Sequence, residues 1–208
     1  MRAAGLDVEA DGIGNIFGTR AGRLDLPSAM TGSHLDAVGN GGRLDGAFGV
    51  LAGLEIIEIL NDRGIETARP ITVAAFTNEE GARFQPDMMG SLVHAGGMSL
   101  DQALEARDPQ GLRLGGELER IGYGGAMPVG SIIPHAFVEL HIEQGPILGR
   151  ESVTLGVVEA LQGISWTEVV LEGQANHAGT APMHLRRDTG YCAGTLMVFA
   201  RKPATDLG

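Results

Sequence analysis

His34, Asp36, Asp45, Glu79, Glu80 and His141 are the side chains of this sequence whose types and spacing best suit chemistry. Each lies at the end of an expected strand or in the loop after it, so one sheet would bring them together. Imidazole and carboxylate bind Zn, Mn, Co or Ni, and two metal ions sharing one carboxylate need about this inventory. Single segments carry little weight, because a histidine at a strand end is commonly a hydrogen-bonded structural residue and paired glutamates commonly open a solvated helix. His34 and Asp36 weigh more. A ligating histidine donates its second N–H to a carboxylate that fixes the tautomer, and Asp36 is expected to serve His34 in this way. Neighbouring side chains diverge, so one of Glu79 and Glu80 can bind metal while the other faces water. A carboxylate near a water acidified by a dication accepts its proton and later passes it to a leaving nitrogen. That division of labour suits hydrolysis of a C–N bond and needs no nucleophilic Ser or Cys. The sequence contains no G-x-S-x-G, no H-E-x-x-H and no phosphate-binding loop.

The elements that must position these groups follow from periodicity. Residues 15–19 and 28–33 read as short strands, and the stretch TGSHLDAVGNGGRLDGAFGVL then spends six glycines on a tight loop. Over 45–62, Phe48, Leu51, Leu54, Ile57 and Leu60 recur at helical spacing, and Arg63-Gly64 supplies the stop. The apolar run 70–76 has the length of a strand covered on both faces. Helices are expected over 100–106, with Ser99 as N-cap, and over 112–121; HAFVELHIE at 135–143 reads as another strand. This order predicts an α/β fold: a mixed, largely parallel sheet with flanking helices and active loops at the strand ends. Near Gly163 the pattern changes. SWTEVVLEG at 165–173 alternates like a half-exposed strand and a helix is expected over 186–200, which predicts residues 1–162 as one domain and 163–208 as the start of a smaller α+β domain. Arg187 and Asp188 are expected to position the loop at that helix start, Trp166 to pack, and His94, His135 and His184 to be structural or surface residues.

Composition narrows the function classes. A formal charge of −11, with no basic cluster longer than Arg186-Arg187 or Arg201-Lys202, argues against nucleic acid or an anionic membrane as partner. The single Cys192 rules out an internal disulfide and any multi-cysteine zinc site. There is no apolar run of ~18 residues that would span a bilayer, and MRAAGLDVEADG lacks the layout of a signal peptide, so the cytoplasm is the expected location.

The runs GSHLDAVGNGGRLDGAFGVLAGLE, FTNEEGARF, ELHIEQGPIL and GQANHAGTAPMHLRRD resemble the carbamoylase and allantoate amidohydrolase (hydantoinase/carbamoylase) branch of the dinuclear-metal aminoacylase-type hydrolases, relatives of the zinc exopeptidases. The resemblance implies two divalent ions, Zn or Mn/Co/Ni. His34, Asp45 and His141 would hold one, and Asp45 would bridge to a second ion bound by Glu80. Glu79 would be the general acid/base that activates a bridging water. It implies that His177, in ANHAGT, reaches the substrate carbonyl from the smaller lid and dimerisation domain across a homodimer interface. Gln144, in HIEQG, would touch substrate or make a structural hydrogen bond. The Asp45-Gly46 peptide would be cis. The implied substrates are small ureido or carbamoyl compounds, such as N-carbamoyl-L-amino acids or allantoate, cleaved to ammonia and carbon dioxide. His141, where peptidases and deacylases of the family have an acidic ligand, favours the carbamoylase branch over a metallopeptidase or aminoacylase. Family members carry a further metal-binding His, and the Asn and Arg that grip the substrate carboxylate, downstream in a chain about twice this long. Both domains are therefore expected to be incomplete, and the alternative is a catalytically silent fragment or partial metal-binding module.

Overall fold

The computed structural model describes residues 1–161, 163–164 and 167–206. Its internal contacts divide it into two units, Met1–Thr154 and Leu155–Gly208. The first contains strands β1 (Asp7–Ala10), β2 (Ile16–Arg20), β3 (Ala29–His34), β4 (Ile71–Phe76) and β5 (Ala136–Val138) in one sheet of order β1-β2-β4-β3-β5. Pairing is antiparallel from β1 through β2 to β4 and parallel from β4 through β3 to β5, so the expected mixed sheet has its parallel part where the chemistry is. Between the strands run helices α1 (Ala47–Asp62), α2 (Met89–His94), α3 (Leu100–Leu104) and α4 (Leu114–Ile121), with α5 (Ile147–Glu151) after β5.

Alternation along β4 explains the two-sided core. Val73 and Ala75 join Leu6, Val50 and Ile57 beneath α1, while Ala74 turns to Phe17 and Met30 on the opposite face. A third cluster, Ile13, Phe84, Met89, Val93, Ala103, Leu114 and Leu118, holds α2, α3 and α4 to the segment after β4. Ser99 caps α3 as expected, in a reciprocal capping box with Gln102.

Helix α1 turns a different face inward from the one its large apolar residues suggest. Gly49, Val50, Gly53 and Ile57 are buried, while Phe48, Leu51, Ile56 and Ile59 are exposed. Close approach decides this. A Cβ added to Gly49 would lie 2.6 Å from the Leu140 carbonyl oxygen and 2.9 Å from Ser33 Cβ, so only the glycine stripe lets the helix lie directly on the sheet. The expected strand over 135–143 is also shorter. Backbone pairing with β3 ends at Val138, leaving His141 on an unpaired extended segment.

In the second unit, α6 (Thr189–Asp206) forms where a helix was expected. Within the expected strand 165–173, residues 167–173 form no strand, since no neighbouring strand offers them backbone partners; Ser165 and Trp166 lie outside the described residues. Asp188 Oδ1 accepts the Tyr191 N–H at 3.0 Å, so this residue does cap the helix start.

Arg83 ties the segment after β4 to the helical layer. It meets the buried Asp108 at 2.9 Å and Glu117 at 2.8 Å, and Arg120 grips Glu117 through two bonds of 3.0 Å. Hydrogen bonds from Arg120 and Arg83 pull the Glu117 carboxyl down to about 2.

Two outcomes follow. Gly49→Ala raises helix propensity by about 1 kcal/mol; overpacking against β3 nevertheless lowers net stability by about 1–3 kcal/mol in urea unfolding, whereas Leu51→Gln changes it by less than about 0.5 kcal/mol. The depressed Glu117 pKa makes its contribution full above the ordinary carboxylate value, 4.5, and lost as pH falls through about 2. Glu117→Gln therefore lowers the urea midpoint at neutral pH, and its difference from the parent shrinks across that acid window.

Candidate metal centre

His34 ends β3 and is buried. Its Nδ1 lies 2.9 Å from the main-chain carbonyl of Asp36. A carbonyl only accepts, so the proton resides on Nδ1 and Nε2 presents a lone pair to the site. The expected partner was the Asp36 carboxylate, which instead stands 3.7 Å from Nδ1. That carboxylate accepts the N–H groups of Glu79 and Glu80 at 3.2 and 3.0 Å. One residue thus orients the imidazole with its backbone and the two acids with its side chain.

Asp45 leads into α1 through Gly46, whose φ of +63° lies in the left-handed region. A Cβ there would fall 2.5 Å from the His34 ring, so glycine lets the helix start close over the histidine. This turn, with a trans peptide, replaces the expected cis Asp45-Gly46 bond. Asp45 Oδ1 lies 3.2 Å from His141 Nε2 and 3.9 Å from His34 Nε2. Gln144 Nε2 donates to Asp45 Oδ2 at 2.8 Å. His141 Nδ1 meets the Ile142 carbonyl at 2.9 Å, which puts its proton there as well and frees Nε2.

Glu79 and Glu80 follow β4 on a loop closed by Asn78, whose Nδ2 donates to the carbonyls of Phe84 and Pro86 at 2.8 and 3.2 Å. Glu79 Oε2 is 3.4 Å from His34 Nε2. Burial pushes the Glu79 carboxyl above its ordinary range against the pull of His34, and Glu80, Asp36 and Glu139 add to the rise. Glu80 Oε1 is buried with no hydrogen-bond partner among the described residues.

His34, Asp45 and His141 offer ligand atoms all within 4.8 Å of one another, and so do His34, Glu79 and Glu80. The structure therefore brings together the segments expected to converge, with His34 common to both groups. Among the described residues, no Lys or Arg pairs with Asp36, Asp45, Glu79 or Glu80. Two imidazole lone pairs, unneutralised carboxylates and one orphaned carboxylate oxygen fit a divalent cation.

His177 belongs to the second unit. Its Nδ1 accepts the N–H groups of Gly179 and Thr180 at 3.0 and 3.2 Å, so the ring holds a turn and carries its proton on Nε2. His94 lies between Phe17 and Phe76, and His135 and His184 are exposed. Sequence reasoning missed Ser33 and Glu139, which bond at 2.5 Å beside the site. The signal was present: Glu139 precedes His141 by two residues, on the same side of an extended chain.

The profile of Peptidase family M20/M25/M40 matches residues 30–201. An N-carbamoyl-L-amino-acid amidohydrolase of Rhizobium meliloti is 44% identical over 98% of this chain and 49% of its own length. A ureidoglycolate hydrolase of Arabidopsis thaliana is 37% identical over 97% of this chain and 44% of its own. Among solved structures, an amidase of the hydantoinase/carbamoylase family from Burkholderia vietnamiensis superposes with a TM-score of 0.82 at 42% identity, covering 99% of this chain and 50% of that one. The chain spans about half the length of the curated relatives it matches.

Because His34 is shared, its loss is the most damaging single change. Titrating Mn²⁺ into the 208-residue chain by calorimetry, His34→Ala removes saturable binding, whereas His141→Ala, which depletes one group of ligands, weakens binding and leaves a measurable isotherm.

Proposed function

We infer the chemistry of this site from one premise: the chain belongs to peptidase family M20/M25/M40. The family is metal-dependent, and the structure carries candidate ligand groups to match. The proposed reaction is hydrolysis of a linear ureido or carbamoyl C–N bond, with an N-carbamoyl-L-amino acid or a ureido acid such as allantoate as substrate. The observation that carries it is the placement of Glu79, half-buried with a raised pKa, against the lone pair of His34 and beside the orphaned oxygen of Glu80.

Two divalent ions are proposed, Zn or Mn/Co/Ni: one would be held by His34, Asp45 and His141 and a second by Glu80 with Asp45 shared, and His34 stands within reach of both groups of ligand atoms. When bound, such ions polarise the scissile carbonyl and acidify water. Glu79 takes a proton from the attacking water as its oxygen bonds to the carbamoyl carbon. It returns that proton to the nitrogen as the C–N bond breaks, and the carbamic acid released divides into ammonia and carbon dioxide. A carboxyl already raised by burial suits both halves of this exchange, since a pKa nearer the working pH favours taking and giving the proton alike. His177, with its proton on Nε2, supplies a hydrogen-bond donor of the kind that stabilises a developing oxyanion. The second unit is read as the start of a lid and dimerisation domain, and the full protein as a cytoplasmic homodimer.

Coverage of about half of each relative favours a second reading, in which this chain alone is a silent metal-binding module. Ammonia release from N-carbamoyl-L-amino acids separates the two, assayed with Mn²⁺ or Zn²⁺ and with the remaining half of the Rhizobium meliloti relative supplied as a second chain. Turnover is expected with the added half, and Glu79→Gln lowers it by about 10²–10⁴-fold. Release of amino acid from dipeptides or N-acetyl amino acids without ammonia would move the assignment to a peptidase or aminoacylase. No turnover of any of these substrates would leave the module.

A further inference from the structure

Asp11 and Asn15 stand in the turn between β1 and β2, and both are fully buried. Asp11 Oδ1 accepts the backbone N–H groups of Ile13 and Asn15 at 3.1 and 2.9 Å, and its Oδ2 accepts Asn15 Nδ2 at 2.9 Å. The amide is thereby held in one orientation. Its Nδ2 also donates to the Gly90 carbonyl at 3.0 Å, and its Oδ1 accepts the Thr77 N–H at 2.9 Å. Every partner has the polarity this orientation demands, so a flipped amide would face two acceptors with an oxygen.

Thr77 and Gly90 bracket the segment that carries Glu79 and Glu80, and the Gly90 N–H closes it on the Thr77 carbonyl at 2.9 Å. From the opposite side, the Asp36 carboxylate holds the N–H groups of the two glutamates. A single buried side chain therefore ties both ends of the acid-bearing loop to the turn that precedes β2. Its neighbour Asp11 contacts nothing at the metal centre and serves to hold that side chain.

We propose that Asp11 and Asn15 are positioning residues for Glu79 and Glu80, a role that rests on the metal-centre reading above. Asp11 orients the Asn15 amide, and the amide sets the separation of Thr77 and Gly90. That separation fixes where the two carboxylates emerge.

The test is Co²⁺ alone, titrated into the 208-residue chain and followed by its visible absorption, with amide hydrogen exchange measured on the ion-free protein. Asn15→Leu keeps the branched shape of the side chain and removes all three of its hydrogen bonds. It is expected to weaken Co²⁺ binding by about 10–100-fold and change the intensity of the absorption band, the effect usual for groups that orient ligands. Exchange should accelerate at Thr77, Glu79, Glu80 and Met88 while β2, β3 and β4 keep their protection. Parental Co²⁺ affinity and band shape in folded Asn15→Leu overturn the proposal, as does exchange that accelerates evenly over the sheet. If Asn15→Leu does not fold, Asp11→Asn decides by the same readouts, because an amide at position 11 turns a donor toward Asn15 Nδ2 and undoes the orientation. Should the parent chain bind no Co²⁺, the metal-centre reading fails by itself, and the exchange pattern still decides the clamp.

Discussion

The parallel pairing of β3 with β4 is the constraint from which the site is built. Ser33 faces Ala75 and His34 faces Phe76 in register, so both strands end at one level and their following loops leave the sheet together. The loop after β3 delivers Asp36 and then Asp45, and the loop after β4 delivers Glu79 and Glu80. β5 joins the other side of β3, again parallel, and the segment beyond it brings Glu139 and His141. Parallel strands place successive loops at the same sheet edge, which is why open α/β sheets bind ligands there. A slip of one residue between β3 and β4 would turn His34 to the opposite face and dissolve the cluster.

Electrostatics then decides what the cluster holds. Like charges ~4 Å apart repel by about 4 kcal/mol at an effective dielectric near 20, and Asp36, Asp45, Glu79, Glu80 and Glu139 crowd two imidazoles without a Lys or Arg partner among the described residues. Such an arrangement relaxes by protonation or by taking up a cation. Burial raises the Glu79 carboxyl and the neighbouring acids add to that rise, while His34 and His141, both with bare Nε2, leave lone pairs free for a cation. Arg83 stands three residues beyond Glu80 but is drawn off by Asp108 and Glu117, so this guanidinium braces the loop without neutralising the site.

Residue type and spacing revealed the segments that converge, because metal chemistry would require side chains of those types, and the strands that place them are apolar runs a periodicity argument detects. What stayed hidden depends on backbone geometry. The inward face of α1 is chosen by glycines that permit contact with β3, a property of the interface that outweighs the larger residues at helical spacing. Asp36 was expected beside His34, but the carbonyl that fixes the imidazole belongs to no side chain, and its carboxylate serves residues over forty positions away. β1 passed unseen because the alternation of Asp7–Ala10 runs over only four residues, and pairing with β2 recruits it. In the second unit the alternation of 165–173 had the period of a strand, yet a strand also needs backbone partners, and residues 167–173 have none.

The two units divide their chemistry by the state of a histidine. His34 and His141 each give Nδ1–H to a carbonyl and keep Nε2 as a lone pair, while His177 takes two backbone N–H groups at Nδ1 and keeps its proton on Nε2. The first arrangement leaves a ring nitrogen with a lone pair and the second leaves an N–H donor. In each case the neighbouring backbone chooses the tautomer, so the role of each ring is set by local folding before any ion or substrate arrives. The His177 ring sits on a tight turn and is held by the N–H groups of Gly179 and Thr180, so its orientation is fixed by the fold of its own segment.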